Sequence, residues 1–207
     1  MPELPAAKEW RHKTTRPNEL RQIDATNFFV AGWGYYKLIP VLDDFSRKII
    51  AWDLMPDESA GSISEAMERA VEAAGVKKLD PKPVLLSDNG SGFSSDLLAK
   101  YLKEHGIRHI FGKPYHPQTQ GKVERFNRRI KEGVCLLVYC GPDELRAALT
   151  EAITRYNATP HEALKNVSPN DVYAGRQQEI LKKREERKRW TLARRKIMNL
   201  EPSAKRN

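Results

Sequence analysis

The apolar positions of this chain change their period along its length. From Glu19 to Val30, ELRQIDATNFFV carries Ile, Thr, Phe and Val with no Gly or Pro, which predicts a strand. YYKLIPVLDDF and RKIIAWDLM follow, separated by the turn-forming Asp43–Ser46, so the first three strands are expected to form an antiparallel meander. Pro40 lacks an amide proton and predicts an edge position or a bulge in the second strand. From about Ser59 to Ala74, Ala60, Ile63, Met67, Ala70, Val71 and Ala74 recur at helical spacing, with Ser62 and Glu65 placed for a capping box and Gly75 as the stop. PVLLSDNG reads as a short buried strand ending in a turn, SSDLLAKYLKEHG as a helix closed by Gly106, and IRHIF as a fifth strand. After the loop GKPYHPQTQG, a long helix is expected from about Gly121 to Tyr139 and another from Pro142 to Asn157. In the first of these, Val123, Phe126, Ile130, Val134 and Leu137 make one apolar stripe.

The order strand-strand-strand-helix-strand-helix-strand-helix-helix predicts an α/β fold. An antiparallel meander followed by right-handed crossovers gives a mixed five-stranded sheet, two of its strands parallel, flanked by helices. Residues 1–18 read as an irregular lead-in and 19–175 as the core. Residues 176–207 read as a basic helical tail, because KKREERKR is eight charged residues with no apolar face.

Charge sharpens this division. The chain of 207 residues carries a formal net charge of +9. From Arg176 onward there are twelve Lys or Arg and four Glu, a net of +8, which leaves the rest near neutral at +1. A near-neutral body with a basic tail points either to a polyanionic partner, most simply nucleic acid, or to a solvated charged helix. No run of about 18 apolar residues is present, so no membrane partner is expected, and the N-terminus lacks a secretory pattern. Cys135 and Cys140 form no disulfide framework and are expected as small buried core residues. The histidines are scattered without a His and Cys pairing at ligand spacing, so no zinc is expected. Together these point to the cytoplasm.

Three carboxylates stand out by position. Asp24 lies in the middle of the first predicted strand, where an unpaired charge is costly to bury. Asp88 ends the fourth strand, just before an Asn89–Gly90 turn. Glu124 lies in the first turns of the long helix, about 100° from Val123, at the margin of the apolar stripe. The 35 residues between Asp88 and Glu124 hold a helix, a strand and a loop, which can return the chain to the same sheet edge. Carboxylates meeting there repel one another unless they share hard divalent cations. Each also has a plainer reading: a strand-end turn for Asp24, Asp-Asn-Gly turn chemistry for Asp88, and an ion pair with Arg128 for Glu124. Asn127, Arg128 and Lys131 share the side of Glu124, while Lys122, Arg125 and Arg129 lie on the opposite flank. From Lys113 to Lys131 there are six basic groups and one acid, which suits phosphate binding. Asp43 and Asp44 are explained more simply by the hairpin turn than by the site.

The strings QIDAT, VLDDFSR, LLSDNGSGF, PYHPQTQGKVERFN and RYN…HEALKNVSPNDVY resemble, in order, the signature segments of bacterial insertion-sequence transposases, of the superfamily that includes retroviral integrases. The resemblance runs from about Asn18 to Gly175. It implies a ribonuclease-H-like fold, in agreement with the strand order. It places Asp24, Asp88 and Glu124 on the family's metal-binding acids, Lys122 on a lysine close to DNA, and His116, Gln118 and Gln120 in a loop near substrate DNA. Lys113, Arg125 and Arg128 are further expected phosphate contacts. Two positions depart from the pattern: Arg21 stands where relatives often have an aromatic residue, and Thr159 where they often have a basic one.

The function so implied is divalent-metal-dependent DNA strand cleavage and strand transfer, as in transposition or integration. Two Mg²⁺ ions, replaceable by Mn²⁺, are expected in the active complex, with Asp24 bridging them and Asp88 and Glu124 each on one side. Transposon ends and target DNA are the expected partners, with a homo-oligomer on DNA, at the nucleoid of a bacterial cytoplasm. Two alternatives stay open: a nuclease of the same fold that cuts without joining, and an inactive DNA-binding relic of a mobile element.

Overall fold

In a computed structural model, the described residues are 13–56, 79–90, 92–112 and 121–204, with positions 65, 66, 69, 72 and 75 between them. The sheet consists of β1 (Leu20–Ile23), β2 (Thr26–Val30), β3 (Gly34–Asp43), β4 (Ile49–Met55), β5 (Val84–Ser87) and β6 (His109–Phe111). The helices are α1 (Asp96–Glu104), α2 (Gly121–Val134), α3 (Pro142–Ala158), α4 (Pro169–Tyr173) and α5 (Gln177–Ala204). The helix expected over Ser59–Ala74 lies largely outside the described residues, although Glu65, Ala66, Arg69 and Glu72 are helical.

The single first strand of the sequence reading is two. Both halves pair antiparallel with β3: Ile23 lies opposite Val41, and Thr26 opposite Leu38. Asp24 and Ala25 fall in the break, so Asp24 is not mid-strand. Pro40 stands in the stretch of β3 facing this break, where an amide is missing from the ladder. Pro40 does not mark an edge, since β3 also pairs with β4, Pro40 opposite Trp52, with a register shift one residue later between Val41 and Leu42. On the other side of β1, β5 and β6 add in parallel, giving a mixed sheet of six strands where five were expected, the extra one arising from the break.

Helices cover both faces, as in the ribonuclease-H-like fold. Ile23, Ile39, Val41, Ala51 and Leu85 pack with Leu98 and Leu102 of α1 on one face. On the other, Phe28, Leu38, Leu42 and Ile49 meet Val123, Phe126, Ile130 and Val134 of α2 and Leu145, Leu149 and Ile153 of α3. Burial of these side chains stabilises the fold by roughly 1.5–3 kcal/mol each.

Helix α2 ends at Val134 rather than near Tyr139. The Tyr139 hydroxyl donates to the Val134 carbonyl at 2.7 Å and its ring takes the next core position. Leu136, Leu137 and Val138 are consequently exposed, so Leu137 leaves the predicted stripe. Cys135 and Cys140 are exposed for the same reason, contrary to the expected burial.

The basic tail is α5, 28 residues long. Its first turns are docked: Ile180 and Leu181 pack on Leu164, Val167, Val172 and Phe45, and Arg184 donates to the carbonyls of Lys165 and Asn166. From Arg187 to Asn199 the helix is exposed almost throughout. Among the described residues, no helix is long and apolar enough to cross a membrane.

Candidate active site

Parallel pairing of β1 with β5 fixes the first two acids. Leu20 is level with Val84, Arg21 with Leu85 and Gln22 with Leu86. The same register continued by two residues sets Asp24 level with Asp88 at the C-terminal ends of their strands. Asp24 is half-buried. Its Oδ1 accepts from the Ala25 amide at 2.8 Å and its Oδ2 from the Asn127 carboxamide of α2 at 2.9 Å. At Asp88, Oδ1 accepts from the Gly90 amide at 3.0 Å. A Cβ at Gly90 would stand 3.0 Å from that same oxygen, so the turn is closed tightly around the carboxylate.

Glu124 enters from the first turn of α2, a position favoured for an anion by the helix dipole. The helix is itself tethered: the Val123 amide donates to Gln22 Oε1 at 3.1 Å, while Gln22 Nε2 donates to Asp44 Oδ1 at 2.7 Å. The plainer reading of Glu124 finds no support, because Arg128 pairs with Glu132 instead.

The three acids sense one another. Burial raises the Asp24 carboxyl above its ordinary range; the Ala25 amide and Asn127 oppose the rise, and the charges of Asp88 and Glu124 add to it. Lys37 on β3 feels Asp88 and Asp24 in turn, both of which favour its charged form against the effect of burial. Among the described residues, no three carboxylate, histidine or cysteine side chains stand close enough to ligate one ion, so the coupling acts over a longer range. The donor set is nonetheless all oxygen and mutually repulsive, the chemistry that suits a hard divalent cation.

Beside Asp88 lies a buried relay. His109 Nε2 is 2.8 Å from Ser87 Oγ, which donates to the Asp88 carbonyl at 2.8 Å. With the hydroxyl proton so used, the imidazole must be the donor to Oγ. Burial pushes His109 down to about 4, so the ring is neutral at pH 7.

The expected DNA contacts divide. Lys113, His116, Gln118 and Gln120 lie outside the described residues. Arg125 and Arg128 are exposed on α2. Lys122 is held by Asp44, 2.8 Å from its carbonyl and 2.6 Å from its Oδ2, which leaves one ammonium proton for another partner. Asp43 and Asp44 serve the turn, as the simpler reading held. Asp43 accepts from the Asn18 and Ser46 amides and the Ser46 hydroxyl, and Asp44 accepts from Thr14, Gln22 and Lys122. At the two departures, Arg21 is fully buried with its guanidinium on Asn18 Oδ1 at 2.8 Å, and Thr159 caps α3 by donating to the Arg155 carbonyl.

Sequence reasoning did not single out Asn127, Gln22 or Lys37 as site residues. Their signal was available: a polar side chain at a position whose neighbours in the period are buried, as Asn127 lies beside Phe126 and Ile130. Its Oδ1 is buried and, among the described residues, without a hydrogen-bond partner.

Two family models, both described as integrase core domain, match residues 14–117 and 105–169. Among curated relatives, the putative transposase InsK of insertion sequence element IS150 from Escherichia coli is 34% identical over 149 residues, 70% of this chain. The chain spans 50% of that protein's length. Among solved structures, the catalytic core domain of HTLV-2 integrase in complex with magnesium superposes with a TM-score of 0.59 at 22% identity, over 76% of this chain and 97% of that one. A chain of the simian T-cell lymphotropic virus intasome in complex with PP2A regulatory subunit B56 gamma gives 0.64 at 21% identity, over 78% of this chain and 56% of that one. With the first of these models alone covering more than half of its sequence, the chain belongs to the integrase core domain family.

Proposed function

We propose that this domain cuts DNA strands and joins them to new DNA, as the catalytic part of a transposase. The observation that carries the reading is the placement of Asp24 and Asp88 at the C-terminal ends of paired parallel strands, with Glu124 at the start of a helix that Gln22 ties to β1. Their match to the family's signature segments and the transposase relative support it. Asp24, Asp88 and Glu124 are the residues to hold Mg²⁺, with Mn²⁺ as substitute and two ions in the active complex; magnesium is named in the solved HTLV-2 core. When bound, the ions would activate the attacking water or 3′-hydroxyl and stabilise the entering and leaving oxygens of an in-line displacement.

The protein's own side chains do the rest. Asn127 and the Ala25 amide fix the Asp24 carboxylate, and the Gly90 amide fixes that of Asp88. Gln22 ties the start of α2, and with it Glu124, to β1. Arg125, Arg128 and the remaining proton of Lys122 face the phosphate backbone, which positions DNA without reading its sequence. Lys113, His116, Gln118 and Gln120 complete the DNA contacts on sequence grounds alone. Transposon ends and target DNA are the substrates, and a homo-oligomer is the working form on DNA, by analogy with the intasome neighbour.

The test is a nicking and strand-joining assay on pre-cut duplexes, with and without Mg²⁺, beside Asp88→Asn. Metal-dependent joining that Asp88→Asn abolishes is expected. Cutting without joining would leave a nuclease; DNA binding with neither would leave a relic.

A further inference from the structure

On the flank of α2 turned away from Glu124, three guanidiniums gather around one buried ring. Arg125 and Arg129 are one turn apart on α2 and share a face. Arg129 lies over the Tyr156 ring, 5.8 Å from its centroid. Tyr156 of α3 is itself held edge-on between Phe126, at 4.8 Å, and His161, at 4.6 Å. Arg47, in the β3–β4 turn, lies within electrostatic range of the same residue. Burial pushes Tyr156 up to about 12, and Arg47, Arg129 and Arg125 all pull it back, so all three charges are within range of its hydroxyl. The cluster adjoins an open cleft of about 180 Å³ between α2 and α3, lined by Arg129, Arg155, Tyr156 and Thr159 among others.

The cluster carries a cost that the fold does not recover. Arg47 is half-buried, and after burial and the opposing pull of Tyr156, the charge of Arg125 disfavours its own. Asp44, the acid that Arg47 feels, is already bonded to Lys122, Thr14 and Gln22. Among the described residues, none of Arg47, Arg125 and Arg129 forms an ion pair with a carboxylate. Arg155 is satisfied by Glu151 and stands apart from them in this respect. Arg47 also sits at φ 61°, a left-handed conformation that a residue with a Cβ adopts only under constraint. Three positive charges without a carboxylate partner among the described residues thus lie on one side of α2, with Arg129 lining an open cleft.

We infer that Arg47, Arg125 and Arg129 form a second phosphate-binding site, which grips the backbone of duplex DNA on the side of α2 opposite the carboxylates. The inference rests on the reading of this chain as a DNA-processing enzyme and extends it from Arg125, already a phosphate contact in that reading, to Arg129 and Arg47. The planar guanidinium fork matches phosphate oxygens two at a time, and three of them converging favour a dianionic stretch of two adjacent phosphodiesters over a single small anion. The Tyr156 ring holds Arg129 in place without neutralising it, and burial keeps His161, packed on that ring, below its ordinary range.

Binding of a random-sequence 30-base-pair duplex is measured by fluorescence anisotropy across a salt series in EDTA, so that metal plays no part. The chain is compared with Arg47→Asn/Arg125→Gln/Arg129→Gln, and with Arg128→Gln/Lys131→Gln on the Glu124 flank. Asparagine is used at position 47 because it tolerates the left-handed backbone. The triple variant is expected to bind at least tenfold more weakly and to lose about 2–3 from the slope of log affinity against log salt. Its melting temperature is expected to hold or rise, because like charges have been removed. Arg129→Lys, which keeps the charge, should retain the slope. An unchanged affinity and slope in the triple variant, with a loss in the Arg128/Lys131 variant, overturns the second site and leaves the DNA reading standing. A melting temperature lowered by several degrees in the triple variant overturns it also, since the arginines would then be structural. A chain that binds no duplex at low salt overturns both.

Discussion

At the scale of single residues, His109 shows how closely the site is tied to the sheet. Its neutral ring donates to Ser87, whose hydroxyl fixes the Asp88 carbonyl. Burial holds its folded value at about 4, below the ordinary 6.5. The unfolded chain therefore binds the proton more readily, and stability from this group is complete above pH 6.5 and lost as pH falls toward 4. The span corresponds to at most about 3 kcal/mol. His109→Gln keeps a donor for Ser87 without a titrating group, so its melting temperature should fall less between pH 6.5 and pH 4 than that of the unaltered chain. Parallel pH profiles would remove His109 from this account. Nothing in the string IRHIF foretold the relay, because a histidine in a strand acquires its partner only when β5 is laid alongside.

At the scale of elements, Lys122 and Asp44 join the start of α2 to the β3–β4 turn through a bond of 2.6 Å. Asp44 is buried and Lys122 about one third exposed, so part of the attraction is screened. Lys122→Met should cost about 2 kcal/mol, chiefly by leaving Asp44 short of a partner, and Asp44→Asn in the same chain should recover part of it. A double-mutant cycle by urea denaturation measures this; additive losses would mean that the pair is not coupled. Helix α5 makes the contrasting case. From Arg187 to its end at Ala204 it carries six basic residues and one acid, and it is exposed almost throughout from Arg187 to Asn199, whereas its first turns pack on Phe45, Leu164, Val167 and Val172. Truncation before Arg187 should leave the melting temperature within about 1 °C and make the salt dependence of DNA binding shallower. Truncation before Arg176 should also lower stability, as it strips Ile180 and Leu181 from their cluster. Equal salt slopes for the full and shortened chains would make the outer helix merely solvated. The elements were legible because their periods were clean. The exceptions have local causes: the strand break faces Pro40, and α2 stops where Tyr139 folds back on Val134.

At the scale of the whole molecule, the acids were legible by position and resemblance, while their supports were not. Asp24 was singled out as a charge within a predicted strand, although it falls in a break, Asp88 from a strand end and Glu124 from a helix start. Asn127 and Gln22 were not, because each acts across more than a hundred residues of sequence. A polar residue at a buried position can be read from the local period, but its distant partner cannot. The repulsion among the acids is a property of the assembled domain and gives a global readout. Millimolar Mn²⁺ should raise the melting temperature of the unaltered chain, because the cation binds the folded state only. Asp88→Asn should melt no lower than the unaltered chain without metal, having shed one repulsive partner of Asp24, and should respond less to Mn²⁺. A full response in that variant would mean that the ion binds elsewhere.

The order in which the sheet is built has a bearing on when this chain becomes dangerous. The hairpins that present Asp24 are local in sequence and close quickly, whereas β5 pairs with β1 across a far longer stretch, Leu20 lying opposite Val84, and α2 arrives later still. A nascent or clipped chain can thus hold one acid or two, but never the set. On the proposed function, the capacity to break DNA would be withheld until the last long-range contact is made, and the topology itself would act as an interlock against cutting by half-made protein. Pulsed hydrogen exchange should find the β3 and β4 amides protected before that of Val123, whose acceptor is Gln22 across the finished sheet. Simultaneous protection would show that the interlock has no separate stages.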